Sequence, residues 1–364
     1  MSVAGQDLIV NRADLSDAVI APSQFPDTPP EGQCLLRIDR FALTANNITY
    51  AVAPEHIGYW NFFPHDRDGF GRVPVWGYGD VIASGHADIA PGTRVYGYFP
   101  MSTHLMVSPG KITPFGFTDI AEHRAPMATI YNQYSFTKTD PGYAPDLEGL
   151  ISLFRPLFTT SFLLDDLHRD NNMFGATQVI LSSASSKTSM SLAHLLSQGG
   201  TVQVVGLTSA SNRAFVEGLG CYSQVLSYDD IDKLDRVPSA FVDMAGSAKV
   251  LRALHSHLDG VLANSCRVGL THWDALADTE IEVPGPKPKF FFAPSYAQQR
   301  ISDWGVVDFQ TKLGKAWAGF IENAQGWITV QEAHGATALL EQYHAALSGR
   351  ADPAQGHVLS LTEG

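Results

Sequence analysis

The stretch of this 364-residue chain with the most chemical content is Val179-Ile180-Leu181-Ser182-Ser183-Ala184-Ser185-Ser186-Lys187-Thr188, an apolar run passing into small hydroxyl residues and one cation. A buried strand that turns directly into a helix gathers free backbone N–H groups and the positive helix end at one point, which is where parallel sheets bind phosphate. The glycines usual in such a turn are missing. Small residues, Ser183 among them, still admit a pyrophosphate; Ser185, Ser186 and Thr188 can donate hydroxyl hydrogen bonds, and Lys187 adds positive charge. A triphosphate loop of the GxxxxGK[ST] type needs glycines absent here. A serine-rich helix cap is the other reading of the same residues.

The next apolar run ends Val204-Val205-Gly206-Leu207-Thr208-Ser209. NAD-preferring sites place an acid at that point to hold the ribose hydroxyls. Here Thr208, Ser209, Asn212 and Arg213 take its place. Hydroxyls, an amide and a guanidinium suit a 2′-phosphate, so the expected cofactor is NADPH rather than NADH. The alternative for Arg213 is a solvated residue in a helix first turn.

Positioning such a site takes β-α alternation, and the second half of the chain has it. Strand-like runs at Gln178 to Leu181, Thr201 to Leu207, Gln224 to Leu226, Phe241 to Asp243 and Val261 to Asn264 alternate with helical patterns at Ser189 to Leu196 and near Arg213 to Leu219. Such alternation predicts a parallel sheet covered by helices, extended by a strand near Lys289 to Phe292 and by the apolar end His357 to Leu361. The first third instead has short β-like runs broken by Pro and Gly, at Gln33 to Ile38, Val75 to Ser84, Thr93 to Tyr98 and Met101 to Val107, which predicts a compact, partly antiparallel β-domain. Between them Leu147 to Asp166 has helical spacing, with a break expected at Pro156.

Composition sets limits. A net charge of −13 opposes nucleic acid and anionic lipid surfaces, which need clustered Lys and Arg. No run is read as long and apolar enough to span a bilayer, and the first ten residues lack a secretory pattern, so a cytoplasmic protein is expected. Cys34, Cys221 and Cys266 are too few and too scattered for a disulfide framework or a CxxC metal pair, and read as small buried hydrophobes. The histidines show no HExxH spacing, and His255 with His257 lies in a helix-like stretch, so no histidine metal site is expected.

Taken together, these pieces resemble the medium-chain dehydrogenase/reductase superfamily, in particular its quinone oxidoreductase-like and enoyl reductase-like members. Phe41-Ala42-Leu43-Thr44-Ala45-Asn46-Asn47 is similar to the first active-site loop of the GroES-like domain, and Val73-Pro74-Val75-Trp76-Gly77-Tyr78-Gly79-Asp80-Val81 to the second. Pro91-Gly92-Thr93-Arg94-Val95-Tyr96-Gly97 resembles the turn that follows. Arg155 to Phe162 resembles the interdomain segment near the nicotinamide, which brings in Thr160, and Phe241 to Gly246 the strand and turn closing over that ring, which brings in Ala245 and Gly246. The serine-rich loop resembles that of a branch described only as a domain of unknown function.

The resemblance implies an α/β chain with a GroES-like β-rich catalytic domain at 1–130, a Rossmann-type doubly wound cofactor domain with its connector at 131–330, and a helix and strand at 331–364 returning to the catalytic domain. Zinc members hold their metal with a cysteine in the first loop and a His-Glu pair in the second. Asn46 and Tyr78-Gly79 stand at those positions here, so no metal is expected. Without a Lewis acid, reduction of an activated double bond or a quinone is the favoured chemistry. Candidates for holding and protonating the substrate are Asn46, Tyr50, Tyr78 and Tyr131, each of which also reads as a half-buried structural residue.

The aromatic runs at 59–63 and 289–292 fit either a pocket for an apolar or aromatic electrophile or a core and homodimer surface. A non-catalytic NADPH-binding protein and a metal-free carbonyl reductase are the competing functions.

Overall fold

The computed structural model describes residues 2–52, 58–268, 282–349 and 352–362. The chain divides into two compact units, Met1–Leu153 with Thr329–Gly364, and Phe154–Ile328. The boundary expected at 130/131 therefore falls after Leu153. The reason is local: Gln133–Phe136 is a strand paired on both sides with strands of the first unit.

The first unit opens with a long hairpin, β1 (Ser2–Asn11) and β2 (Ala18–Pro26), followed by β3 (Cys34–Leu43), helix α1 (Ala45–Val52), β4 (Phe70–Gly71), β5 (Pro74–Ser84), β6 (Arg94–Pro100), β7 (His104–Val107), β8 (Pro109–Thr113), β9 (Gly116–Asp119) and β10 (Gln133–Phe136). The long helix α2 (Glu148–Asp170) leads into the second unit, which contains β11 (Gln178–Leu181), α3 (Lys187–Gly199), β12 (Gln203–Thr208), α4 (Arg213–Gly218), β13 (Gln224–Ser227), β14 (Ser239–Asp243), α5 (Ala248–His257), β15 (Leu262–Arg267), β16 (Lys289–Phe290), α6 (Ala293–Trp304) and α7 (Val306–Trp327). The chain then returns through β17 (Thr329–His334), α8 (Gly335–Leu347) and β18 (Gln355–Ser360). Strand β18 pairs antiparallel with β3.

In the second unit six parallel strands run in the order β13-β12-β11-β14-β15-β16. Numbered from β11 as the first strand, this is the doubly wound order 3-2-1-4-5-6, whose ligand crevice lies at the carboxyl ends of the strands. β11 is central, and all four of its residues are buried.

Three expectations need correction. Pro156 does not break α2, which is continuous from Glu148 to Asp170. A proline inside a helix costs about 3 kcal/mol, but Ile151, Phe154, Phe158 and Leu163 are almost fully buried along the same helix, each contributing about 1.5–3 kcal/mol. The window Pro145–Asp170 is also long and apolar enough to cross a membrane by length and composition, contrary to the sequence reading, although most of it is buried within the protein. The strand near Lys289 is only two residues long, because Pro294 in the first turn of α6 ends it and starts the helix.

In the first unit, β5 and β6 carry Trp76-Gly77-Tyr78 and Tyr96-Gly97-Tyr98, paired antiparallel with Trp76 opposite Tyr98, Gly77 opposite Gly97 and Tyr78 opposite Tyr96. Alternation puts the four aromatic rings on one face and the two glycines on the other. The glycines are required there. A Cβ on Gly97 would lie 2.4 Å from Tyr134 Cδ1, and one on Gly77 2.1 Å from the Arg40 carbonyl oxygen.

Candidate functional site

At the carboxyl end of β11 the chain turns through Ser182–Ser186 into α3. Ser183 sits at φ 50°, in the left-handed region where glycine is the usual choice. Its strain is held by neighbours: the Ser183 N–H donates to Tyr228 Oη at 2.8 Å, the Ala184 N–H to the Leu207 carbonyl at 3.0 Å, and Tyr222 Oη to the Ala184 carbonyl at 2.9 Å. Ser186 is the N-cap of α3, accepting from the Ser189 N–H at 3.3 Å. Asn212 Nδ2 donates to Ser185 Oγ at 3.1 Å and ties the turn to the segment after β12.

Lys187 and Thr188 are the first two residues of α3 rather than loop residues. Ser161 Oγ donates to the Thr188 carbonyl at 2.8 Å, so α2 is laced to that first turn one residue from Thr160. First-turn amides of a helix have no acceptor within the helix; the turn itself takes those of Ser186, by the Ser183 carbonyl, and Ser189, by Ser186 Oγ, and Gly206 keeps the turn shallow, since a Cβ there would lie 2.9 Å from Tyr222 Cδ1 and 3.0 Å from Ala184 Cβ. These features fit a pyrophosphate.

Thr208 is buried at the end of β12, and Ser209 Oγ lies 2.9 Å from Ser211 Oγ. Arg213 begins α4 and pairs through Nε with Glu217 Oε1 at 2.8 Å, both side chains about half exposed. A surface pair of this kind contributes little, so Glu217 is a weak competitor for a 2′-phosphate. No carboxylate occupies positions 208–213.

Beyond β11 on the other side, Ser182 Oγ donates to Asp243 Oδ1 at 2.7 Å. The N–H groups of Ala245 and Gly246 both donate to Asp243 Oδ1 at 3.1 Å, and Gly246 takes φ 65° to do so. The amides of these two expected cofactor residues are thus turned inward, toward a carboxyl that burial pushes above its ordinary pKa. Sequence reasoning missed Asp243, Tyr222 and Tyr228, whose importance arises only when separate strands align.

In the first unit, Asn46 and Tyr50 lie one turn apart on α1, and Asn46 Nδ2 donates to Tyr50 Oη at 2.9 Å. Tyr50 stacks near Tyr59, ring centroids 4.5 Å apart, and Tyr59 Oη lies 3.2 Å from Tyr131 Oη. Tyr98 completes the group, 5.9 Å from Tyr50 and 5.0 Å from Tyr131 between centroids, and its buried hydroxyl has no hydrogen-bond partner. Burial raises the pKa of all four phenols, so they are neutral donors at neutral pH. Because Tyr50 Oη accepts from Asn46, its own proton is left to donate.

Tyr131 is held from behind by Arg124, fully buried, whose Nη2 donates to the Tyr131 carbonyl at 2.6 Å while Nη1 pairs with Asp119 at 2.9 Å. Tyr78 is not part of this group. It is fully buried beside Tyr96 and Tyr143, with the Arg94 guanidinium 5.4 Å from its ring centroid. Phe62 and Phe63 of the first aromatic run are core, whereas Phe290 and Phe292 of the second are exposed and stacked 6.5 Å apart. Among the described residues no three His, Cys, Asp or Glu side chains group as a metal site would need.

Residues 41–352 match a family model described as "Protein of unknown function (DUF2855)". No curated protein matches the sequence. Among solved structures, CurA from Vibrio vulnificus in complex with NADPH is similar over all of both chains at 12% identity and a TM-score of 0.62. The mitochondrial 2-enoyl thioester reductase Etr1p/Etr2p heterodimer from Candida tropicalis is similar over 98% of this chain and 100% of its own, at 12% identity and a TM-score of 0.58. The quinone oxidoreductase from Coxiella burnetii is similar over 98% and 99%, at 12% identity and a TM-score of 0.55. The fold is therefore the GroES-like and Rossmann-type pair that the sequence resemblance implies.

Proposed function

The chain belongs to the DUF2855 family, and from that membership and the fold it carries we propose that it is an NADPH-dependent, zinc-independent reductase of enones or quinones. The observation that carries this reading is the turn from β11 into α3, where a left-handed serine, an N-cap serine and a tethering asparagine shape a phosphate cradle beside an acid-free β12 end. Lys187 and Arg213 supply the charges for the pyrophosphate and the 2′-phosphate. The similar chains solved with NADPH support the same cofactor.

When bound, NADPH supplies hydride to an electrophilic carbon. The chain's own part is to hold the oxygen on which charge develops. Tyr50, poised as a donor by Asn46, and the Tyr59–Tyr131 pair offer neutral hydroxyls, and Tyr50 can pass its proton onward. The aromatic surroundings suit an apolar or aromatic substrate. The exposed Phe290 and Phe292, on and beside the edge strand β16, support a homodimer, and the charge and cysteine content a cytoplasmic setting.

NADPH consumption with a quinone, an aromatic enone and a simple aldehyde tests the reading. Turnover of the first two, unaffected by chelator and reduced 10²–10⁴-fold in Tyr50→Phe, is expected. NADPH binding with no acceptor consumed would leave a non-catalytic binding protein, and turnover of the aldehyde alone a carbonyl reductase.

A further inference from the structure

The carboxyl edge of the second unit's sheet carries one charged side chain that nothing in the cofactor reading uses. Ser182, Asp243 and Arg267 end neighbouring elements in a row: Ser182 follows β11 and bonds Asp243 at the end of β14, and Asp243 is the register partner of Arg267 at the end of β15. Register partners on adjacent parallel strands face the same side of a sheet. Yet the Asp243–Arg267 pair does not close. Asp243 spends Oδ1 on Ser182, Ala245 and Gly246, and its Oδ2 is buried without a partner. Arg267 Nε is also buried without a partner, and among the described residues no hydrogen bond or ion pair forms on its guanidinium.

A guanidinium stays charged at every accessible pH. The Asp243 carboxylate acts on it through space without a hydrogen bond, so the half-buried fork is left to take an anion in direct contact, because the water its buried Nε gives up is otherwise not replaced. Its place in the sheet says what the anion belongs to. The residues suited to the 2′-phosphate follow β12, on one side of the phosphate turn, so a dinucleotide spread along this edge puts its reacting ring on the other side, over β14 and β15. Two strand spacings separate β11 from β15, roughly 10 Å. Arg267 thus stands at the substrate's end of the crevice.

We propose that Arg267 is a specificity-determining residue that receives a carboxylate of the substrate, so that the electrophile is an acid as well as an enone or quinone. The planar fork of the guanidinium matches a carboxylate in a way that no ester or neutral carbonyl reproduces. This inference rests on the reading that the carboxyl edge holds the dinucleotide.

The test compares two probes with the same reacting group, benzylideneacetone para-carboxylate and its methyl ester, by calorimetric titration of the full chain with and without NADP+. The carboxylate is expected to bind the wild type roughly tenfold or more tightly than the ester. Arg267→Gln should bring that ratio to about one, and Arg267→Lys, which keeps the charge but loses the fork, should leave an intermediate value. A wild-type ratio of one, a ratio unchanged in a folded Arg267→Gln, or no carboxylate binding below millimolar concentration would each overturn the inference. Binding is read without turnover, so the two ideas fail separately. Reduction of the ester with no preference for the acid sinks the role of Arg267 and leaves the reductase, whereas acid-selective binding with no NADPH consumption does the reverse.

Discussion

Replacing Arg124 by methionine should unfold the protein at markedly lower denaturant. The guanidinium is almost fully buried and donates to Asn132 Oδ1 at 2.9 Å, Asp119 Oδ2 at 2.9 Å, Tyr134 Oη at 3.0 Å and the Tyr131 carbonyl at 2.6 Å. Methionine fills similar volume but leaves Asp119, itself 3% exposed, as a buried carboxylate whose Oδ2 has lost its cation. Breaking a buried pair from one side costs about 3–5 kcal/mol. Adding Asp119→Asn removes the stranded charge, so the double variant should recover at least about 1 kcal/mol relative to the sum of the singles. Urea unfolding with a common slope measures all three. A single-variant loss below about 1 kcal/mol, or strict additivity in the double variant, would refute the view that this pair is the strut behind Tyr131.

Arg213→Ala should weaken NADPH roughly tenfold and leave NADH nearly unchanged, and Glu217→Gln should tighten NADPH slightly by removing the competing carboxylate; equal losses for both cofactors in fluorescence titrations would reject a 2′-phosphate role. Lys187→Ala should raise the apparent cofactor constant, less so at high salt, with saturated turnover preserved, because a pyrophosphate contact acts on ground and transition states alike; steady-state kinetics showing collapsed turnover at saturating NADPH would contradict its role as a pyrophosphate contact. His168 is fully buried with Nδ1 2.7 Å from the Leu164 carbonyl, and burial lowers its pKa from 6.5. The unfolded chain therefore takes up a proton that the folded chain refuses, and stability should fall as pH drops below about 6.5; urea midpoints above and below that pH should differ less in His168→Gln than in the wild type.

The doubly wound sheet was legible because its strands are short apolar runs that no other element pattern accommodates, and Gln178–Leu181 was placed to the residue. The serine turn was legible because it follows such a strand directly. What escaped were features that depend on alignment between distant segments. Tyr98 looks like any strand aromatic until its pairing with Trp76 and its 5.0 Å approach to Tyr131 are known. Tyr78, two residues from Trp76 on the same face, is indistinguishable from it in sequence, yet it packs beside Arg94, Tyr96 and Tyr143. Helices α6 and α7 were not anticipated, since Phe290 and Phe292 flank them with a strand-like run and Gly314, Gly319 and Gly326 dilute the helical signal inside α7.

The turn after β11 shows how a phosphate site is built without its glycines. Glycine serves such turns in two ways, by taking positive φ without strain and by letting backbone approach backbone. Here the first task falls to Ser183, at an expected cost of about 1–2 kcal/mol for a left-handed non-glycine residue. The second is moved to Gly206 on the adjacent strand, whose missing Cβ accommodates Ala184. The strain at Ser183 is offset by contacts from outside the turn, with the Tyr228 hydroxyl accepting its N–H and the Tyr222 hydroxyl bonding the carbonyl of the next residue. Both tyrosines lie on the segment that includes β13. The conformation of the turn is therefore specified by β13 and its flanks as much as by its own sequence, which is why a glycine-free segment can occupy the phosphate position and why a motif search confined to residues 182–188 would pass over it.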